Sequence, residues 1–331
     1  MARKLAGMLF LAMVGLAMGQ GTPDAKAPAG TAATVNGQAI TEAAVQRSLE
    51  RIPPERRAAA RGELINHLVD NMLVDQYLVQ QKIVAAPAEV EKRLVQMKEE
   101  IVKQGKDYAK MLAELKLGEP ELKEHIAAEV RWEQFVNSQA NDKALRETFA
   151  ASKDVFDGSS VRARHILLSG PNEAEAGEKM KTQLASYKKL IEEEVATGLT
   201  KVPNAQDNLA KEKARTALMD DAFALVAKEK SQCPSKEQGG DVGWFGRDGV
   251  MVEAFSKVAF ALTPYQMSEP VKTQFGYHLI MTTEKKPGKD VKFEDVQAEV
   301  KEYFAEKMRE RLAEHVRKFS KINIYPAPVG G

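Results

Sequence analysis

Apolar residues recur at three- and four-residue steps along much of the first half of the chain, which is the spacing of amphipathic helices. The pattern predicts one helix from residue 54 to about 84. Pro87 and Pro120 open further helices of this kind, and another runs from 142 to about 149. The apolar positions of the first helix are Leu64, Ile65, Leu68, Val69, Met72, Leu73, Tyr77 and Leu78. Short connections between these segments predict a helical domain.

A second stretch with this spacing lies between residues 293 and 319. Its apolar positions are Val296, Val300, Phe304, Met308, Leu312, Val316 and Phe319. An isolated helix would leave this stripe in water, so it needs a partner surface. The Ile-Asn-Ile segment at 322–324 predicts a short strand after the helix. The simplest arrangement returns both elements to the N-terminal helical domain.

A hairpin is predicted where the helical region begins. Val35 and Ile40 flank Asn36-Gly37, a dipeptide that tolerates positive φ in a tight turn. Thr41 is suited to cap the following helix. The strand at 322–324 is a candidate partner for this hairpin, which would leave residues 160–286 as an inserted module.

Within that module the apolar pattern shortens to runs of strand length. VRARHILLS at 161–169 and VKTQFGYHLI at 271–280 each place a histidine, His165 and His278, on an apolar run. Gly239-Gly240 gives the backbone freedom to turn into a third run at 242–245. Between the first and third runs, 177–205 predicts an extended helix, a break at Gly198 and Pro203, and the start of a second helix.

Three motifs in this order, HILL, CPSKEQGGD and TQFGYH, resemble the two halves of a parvulin-type peptidyl-prolyl isomerase domain. VNGQAIT at 35–41 resembles the start of the N-terminal domain of SurA-, PrsA- and PpiD-like exported foldases. The resemblance implies an α+β fold. A mainly helical SurA-N-like chaperone domain, built from the N-terminal segment and the C-terminal helix, would carry an inserted parvulin domain with a small antiparallel sheet flanked by helices.

These patterns predict the domain limits. They are a signal peptide at 1–19, a disordered lead-in at 20–33, a helical chaperone domain at 34–157, a parvulin domain at 158–288 with an insertion at about 177–205, a returning helix and strand at 289–325, and a tail at 326–331. The insertion departs from the parvulin pattern, in which this connection is about half as long.

The parvulin resemblance also implies the site. It implies catalytic roles for His165 and His278 beneath the site, for Thr273 in their hydrogen-bond network, and for Cys233 as the polar residue facing the amide. It also implies a proline pocket of Met251 and Phe255, with Val242 where leucine is commoner and Phe275 near the rim. An X-Pro bond rotates over a barrier of roughly 18–20 kcal/mol. Binding the twisted amide more tightly than either planar form lowers that barrier without a covalent step. No cofactor or metal is therefore expected.

Each candidate also has a simpler explanation. A histidine in an apolar strand is often a satisfied core residue, and the two rings would then organise the fold. Cys233 with a histidine is compatible with a protease dyad, although no oxyanion-hole or third-residue pattern accompanies it. His67 and His125 lack metal-ligand spacing and are predicted to be ordinary surface or boundary histidines.

The N-terminal segment indicates the compartment, and the charge pattern argues against nucleic acid as a partner. Arg3 and Lys4 precede an apolar run at 5–18 that is short for a membrane span, so a cleaved signal and a periplasmic or secreted protein are predicted. An uncleaved anchor is the alternative. Removal of 1–19 leaves 46 basic and 47 acidic residues, a net charge of about −1, interspersed in a way that argues against nucleic acid. The single cysteine excludes an intrachain disulfide.

The leading hypothesis is an exported peptidyl-prolyl isomerase that also binds unfolded or extended polypeptides containing X-Pro bonds. It would act as a monomer or homodimer with no membrane span after signal cleavage. The loop after His165 has no arginine cluster, which argues against a phosphate-directed specificity. The rival hypothesis is a holdase or assembly chaperone whose inactive parvulin module binds peptides. The insertion favours the rival, whereas the joint presence of the site residues favours activity. A purely structural role is a third possibility.

Overall fold

A computed structural model describes residues 29–170, 173–202 and 208–327, with the side chains of 173–175 excepted. The predicted signal at 1–19 and most of the predicted lead-in lie outside these ranges. Among the described helices, none combines the length and apolar character needed to span a bilayer. The chain divides into two compact units. Unit 1 comprises the described residues up to Arg146 and from Lys301 onward, and unit 2 comprises those between Glu147 and Val300.

Unit 1 is mainly helical. Its elements are β1 (Thr31–Val35), β2 (Gln38–Thr41), α1 (Glu42–Leu49), α2 (Pro54–Gln80), α3 (Pro87–Lys103), α4 (Tyr108–Glu114), α5 (Glu119–Gln139), the start of α6 (Asp142–Ala151), most of α11 (Gln297–Arg317) and β7 (Ile322–Ile324). The strands form an antiparallel sheet in the order β2-β1-β7. The C-terminal strand therefore pairs with the N-terminal hairpin, which confirms the predicted return and the fold class.

The hairpin has the turn that its sequence predicts. Asn36 and Gly37 have φ of 51° and 87°, the left-handed values that a tight two-residue turn requires. The Thr41 hydroxyl oxygen accepts the Ala44 N–H at 3.2 Å and caps α1. Local sequence alone therefore determines the turn and the cap.

Two limits in unit 1 differ from the predictions. β1 begins at Thr31, inside the predicted disordered lead-in, because the small side chains of Ala32 and Ala33 are fully buried in the unit's core. Helix α2 ends at Gln80 and not near residue 84, because Lys82 adopts a left-handed φ of 59° that stops the helix.

Helix α11 finds its partner surface on α2 and α5. The Arg309 guanidinium lies 4.3 Å from the centre of the Trp132 ring and donates to Asn71 Oδ1 at 3.1 Å. Burial lowers the pKa of Arg309 to about 10. Nearer its end, α11 pairs Arg317 with Asp70 at 2.5 Å. The predicted apolar stripe is covered in part: Leu312 and Val316 pack against the cores of unit 1, whereas Phe319 stays 80% exposed.

Unit 2 contains the inserted module. Its elements are the end of α6, α7 (Lys153–Phe156), β3 (Ser160–Leu168), α8 (Glu173–Leu199), α9 (Asn208–Lys230), a 3-10 turn (Pro234–Gln238), β4 (Asp241–Gly246), α10 (Glu253–Ala261), β5 (Val271–Thr273), β6 (Gly276–Lys286) and a second 3-10 turn (Phe293–Asp295). The strands form an antiparallel sheet in the order β4-β3-β6-β5.

Successive strand residues point to opposite faces of this sheet, and each face has its own core. One face packs on α10 through Val161, Ala163, Phe245, Phe255, Ala259 and Ile280. The other packs on α8 and α9 through Ile166, Leu168, Leu184, Ile191, Met219, Phe223, Leu279 and Met281. The apolar residues of α8 and α9 thus share one core with the sheet.

Gly198 was predicted to break the helix of the insertion, but it lies inside α8. A Cβ at this position would approach Leu218 Cδ2 to 2.7 Å, so glycine allows α8 and α9 to pack closely. Pro203, the other predicted breaker, lies outside the described residues.

The segments on either side of the module contact each other. The Lys289 N–H donates to the Asp157 carbonyl at 2.8 Å, and the Phe149 and Phe293 rings meet edge-on at 6.0 Å. Residues 147–157 and 289–300 therefore group with unit 2. The domain limits at 157/158 and 288/289 stay a prediction.

Truncation after Lys318, which removes β7, should lower the stability of unit 1 by about 1–3 kcal/mol, because β1 loses a neighbour and Ile322 leaves the core. Each unit has one tryptophan, Trp132 in unit 1 and Trp244 in unit 2. Urea unfolding of single-tryptophan variants will report the two units separately. Unit 2 should keep its midpoint, and an unchanged midpoint for unit 1 would contradict a stabilising role for β7.

Candidate functional site

The pairing of β3 with β6 brings together the two histidines that the sequence separates by 113 residues. His165 pairs with Ile280 and His278 with Leu167, so the two rings lie on the face that packs on α10. Their Nδ1 atoms are 3.0 Å apart, and the rings stack with an interplanar angle of 15°. The rings therefore form a direct hydrogen bond.

Two hydroxyl groups complete this network. Thr273 Oγ1 lies 2.8 Å from His278 Nε2, and Ser235 Oγ lies 3.1 Å from His165 Nε2. A hydrogen bond between two Nδ1 atoms needs one protonated and one bare nitrogen, so the neutral rings must be opposite tautomers. The result is a continuous chain, Ser235–His165–His278–Thr273, with two possible directions of its ring protons.

Burial keeps both rings neutral. His165 and His278 are 6% and 4% exposed. Loss of hydration lowers the pKa of His165 to about 4. For His278, burial and then the neighbouring His165 lower the pKa to about 4. The pair is therefore uncharged at neutral pH.

An apolar cluster lies against the two rings. Phe255 meets His165 and His278 edge-on, with ring centres 5.5 Å apart in each case. Val242 and Met251 are half-buried in the same cluster. Phe275 is 46% exposed, and its N–H donates to Thr273 Oγ1 at 3.1 Å. The structure therefore brings Val242, Met251 and Phe255 together and connects Phe275 to them through the polar network.

Cys233 lies close to this network but outside it. It is half-buried, precedes the first 3-10 turn, and donates its N–H to Ser231 Oγ at 3.3 Å. Within the described part of the chain, its thiol makes no hydrogen bond to either ring. All four ring nitrogens have other partners, so none is free to accept the thiol proton. This arrangement argues against the protease-dyad alternative.

Ser235 is the network member that the sequence reasoning missed. It lies inside the CPSKEQGGD motif, two residues after Cys233, and its hydroxyl takes the position beside His165. The sequence feature that could have identified it is a hydroxyl side chain inside the CPSKEQGGD motif. The sequence alone did not show whether the thiol or the hydroxyl faces the imidazole.

His67 and His125, the histidines predicted to be ordinary surface or boundary residues, lie in helices of unit 1. His67 is exposed, and its Nε2 lies 3.0 Å from Asn71 Nδ2. His125 is half-buried, and its Nε2 has no hydrogen-bond partner among the described residues. Burial, followed by the charge of Arg47, lowers the pKa of His125 to about 4. Across the described ranges, no group of three or more His, Cys, Asp or Glu side chains is arranged to hold a metal ion.

Two family models match the chain. The model of the PPIC-type PPIase domain matches residues 165–284, and the model of the SurA-like N-terminal domain matches residues 1–136. The first match contains every candidate site residue. The two matched regions are separate, in the order that the sequence motifs predict.

Several named relatives are similar to longer stretches of the chain. "Putative peptidyl-prolyl cis-trans isomerase Cbf2" of Campylobacter jejuni serotype O:23/36 is 30% identical over 275 residues, covering 81% of each chain. "Foldase protein PrsA" of Caldanaerobacter subterraneus is 26% identical over 349 residues, covering 98% of this chain and 97% of the relative. The Bacillus subtilis "Foldase protein PrsA" is 30% identical over 204 residues, and this alignment spans only 56% of that relative.

The neutral ring pair predicts an acid-sensitive unit 2. Both histidines have a lower pKa in the folded chain than in the unfolded chain, so protons bind preferentially to the unfolded chain as the pH falls. The free energy of unfolding of unit 2 is therefore highest above about pH 6.5 and decreases as the pH falls towards 4. The loss should reach at most about 3 kcal/mol for each ring. Urea midpoints of Trp244 emission in Trp132→Phe protein will measure it. A His165→Gln, His278→Gln variant should show a flatter pH profile, and equal profiles would contradict the assignment.

Proposed function

The chain belongs to the family of SurA-like foldases with a PPIC-type peptidyl-prolyl isomerase domain, and from this we propose that unit 2 catalyses cis-trans isomerisation of X-Pro bonds. The observation that carries the proposal is the buried, neutral histidine pair directly against Phe255. An enzyme that rotates an amide needs an apolar grip on the proline ring next to oriented polar groups. Both occur here within one cluster.

The apolar residues supply the grip. We assign the proline pocket to Val242, Met251 and Phe255, which already share a cluster, and its rim to the exposed ring of Phe275. Burying the proline ring holds one side of the X-Pro bond while the preceding residue turns. Interactions that strengthen as the amide twists lower the rotation barrier of roughly 18–20 kcal/mol.

The polar residues supply orientation. As the amide twists, its nitrogen loses conjugation and its carbonyl oxygen changes its hydrogen-bonding demand. We place Cys233 and Ser235, on the loop above the rings, nearest to this amide. His165, His278 and Thr273 then hold that loop and the start of β6 in one arrangement. None of these groups needs to exchange a proton with the substrate.

Unit 1 exposes only a small apolar surface with which it could bind unfolded clients as a chaperone. Most apolar side chains of the helices between residues 54 and 136 are buried in the unit's own cores and cannot contact a client. Four large apolar side chains of this region remain exposed, Val79, Val84, Val95 and Val102. We propose that they contact extended clients weakly.

The protein is proposed to act outside the cytoplasm. The exported character of PrsA- and SurA-like foldases and the sequence at 1–19 support a periplasmic or secreted location.

A Met251→Ala, Phe255→Ala variant should reduce kcat/KM for a short unphosphorylated X-Pro peptide by about 100-fold, since two apolar contacts to the proline are lost. Exchange NMR on the full chain will measure the rate. Met180→Ala is the matched control, because Met180 is buried against the opposite face of the sheet. It should keep the rate within about twofold. Unchanged turnover in the double variant would refute the pocket assignment.

Replacing Val79, Val84, Val95 and Val102 together by serine should weaken suppression of aggregation of an unfolded client, while peptide turnover stays unchanged. Light scattering of a reduced client will measure this. The Met251→Ala, Phe255→Ala variant serves as the reciprocal control and should suppress aggregation normally. If the wild-type protein suppresses aggregation but does not accelerate isomerisation, the holdase hypothesis replaces the isomerase one.

A further inference from the structure

Arg164 lies immediately before His165 on β3, but the two side chains point to opposite faces of the sheet. The His165 ring lies on the α10 face with the proposed site. Arg164 lies on the face covered by α8 and α9, and its side chain is only 15% exposed. The sequence motifs did not identify Arg164 as a site residue, and its side chain does not touch either histidine ring.

Arg164 binds two separate elements with one guanidinium. Its Nε and Nη2 donate to the two carboxylate oxygens of Asp220 on α9, at 2.8 and 2.9 Å. Its Nη1 donates to the carbonyl oxygens of Gln238 and Gly239, at 2.8 and 3.1 Å. The planar fork of arginine makes such a bridge possible, whereas a lysine ammonium cannot reproduce it.

The carbonyls that Arg164 holds end the loop of residues 233–240, which we call the CPS loop. This loop carries Ser235, whose hydroxyl lies 3.1 Å from His165 Nε2. Its last residue, Gly240, accepts the His165 N–H at 2.9 Å and donates its own N–H to the Ser235 carbonyl at 2.9 Å. The CPS loop therefore contacts His165 through both the backbone and the side chain.

The CPS loop ends in two glycines, which have wide backbone freedom, but neighbouring residues surround them closely. Gly239 and Gly240 have φ of 67° and 81°, which few other residues adopt. A Cβ on Gly239 would lie 2.7 Å from Ala224 Cβ on α9 and 3.1 Å from Arg164 Nη1. Two glycines do not define one conformation by themselves, so the fixed arrangement depends on the groups around them.

We propose that Arg164 is a positioning residue of the isomerase site. By clamping Gln238 and Gly239 to α9, it holds the CPS loop so that Ser235 orients His165. This inference rests on the proposed function, and it extends the site to a residue behind the sheet. It also makes the position of α9, through Asp220, a determinant of turnover.

Arg164→Ala should lower kcat/KM for a short X-Pro peptide about tenfold or more, mainly through kcat, because a displaced loop misplaces the groups around the amide. Asp220→Asn should give a smaller loss in the same direction. Arg164→Lys should recover only part of the activity. Asp221→Asn is the matched control, since the adjacent aspartate is exposed, and it should behave as wild type.

A second measurement separates positioning from general destabilisation. The 15N chemical shift of His165 Nε2 reports its hydrogen bond to Ser235, and it should move in Arg164→Ala and Asp220→Asn but not in Asp221→Asn. Urea unfolding of Trp244 emission will show whether each variant is folded. If Arg164→Ala does not fold, the milder Asp220→Asn and Arg164→Lys variants decide the question.

The inference is overturned if folded variants at Arg164 and Asp220 keep wild-type kcat/KM and an unchanged His165 spectrum. It is also overturned if activity falls only in proportion to the unfolded fraction. Failure of the proposed function looks different, because the wild-type protein itself would not accelerate isomerisation. In that case the His165 spectrum still tests whether Arg164 holds the CPS loop.

Discussion

The pairing of β3 with β6 is the constraint on which unit 2 depends. Nine residues of β3 follow nine partners on β6, and this register places His165 and His278 within hydrogen-bonding distance. Because side chains alternate between the faces of a strand, a shift of one residue would move one histidine into the α8/α9 core and exchange apolar side chains between the two cores. The burial of both faces therefore stabilises the register, and the register creates the site.

The polar network operates without formal charge. An ionised histidine at this depth would need a buried counter-ion, and none of the four network members supplies one. Neutral rings of opposite tautomers satisfy every ring nitrogen with hydrogen bonds alone. Unit 1 contains the opposite arrangement, in which the buried cation of Arg309 is stabilised by the face of Trp132 and the side chain of Asn71. The charge of Arg309 is thus tolerated at a helix interface, whereas the four members of the histidine network carry none.

Much of this architecture could be predicted because its signals are local. Asn36-Gly37 specifies a turn, proline marks helix starts, and the two histidine motifs identify the strands that meet. Other features depend on contacts between distant segments. Ala33 lies in a strand because it pairs with Ile324 of β7 and is buried in the core that includes α2, and Gly198 is needed because Leu218 approaches it. The same reason explains why Ser235 and Arg164 were missed, since their partners come from other elements.

The pairing of β7 with β1 also has a consequence for the order in which the protein forms. The strands and helices of the inserted module are all present once Lys286 has been synthesised, whereas the sheet of unit 1 waits for residues 322–324. Domains usually fold from the N-terminus as the chain emerges. Here the inserted module can reach its final structure first, and the sheet that contains β1 stays incomplete until residues 322–324 have been made. The sheet of the helical domain can therefore close only after the inserted domain has been made.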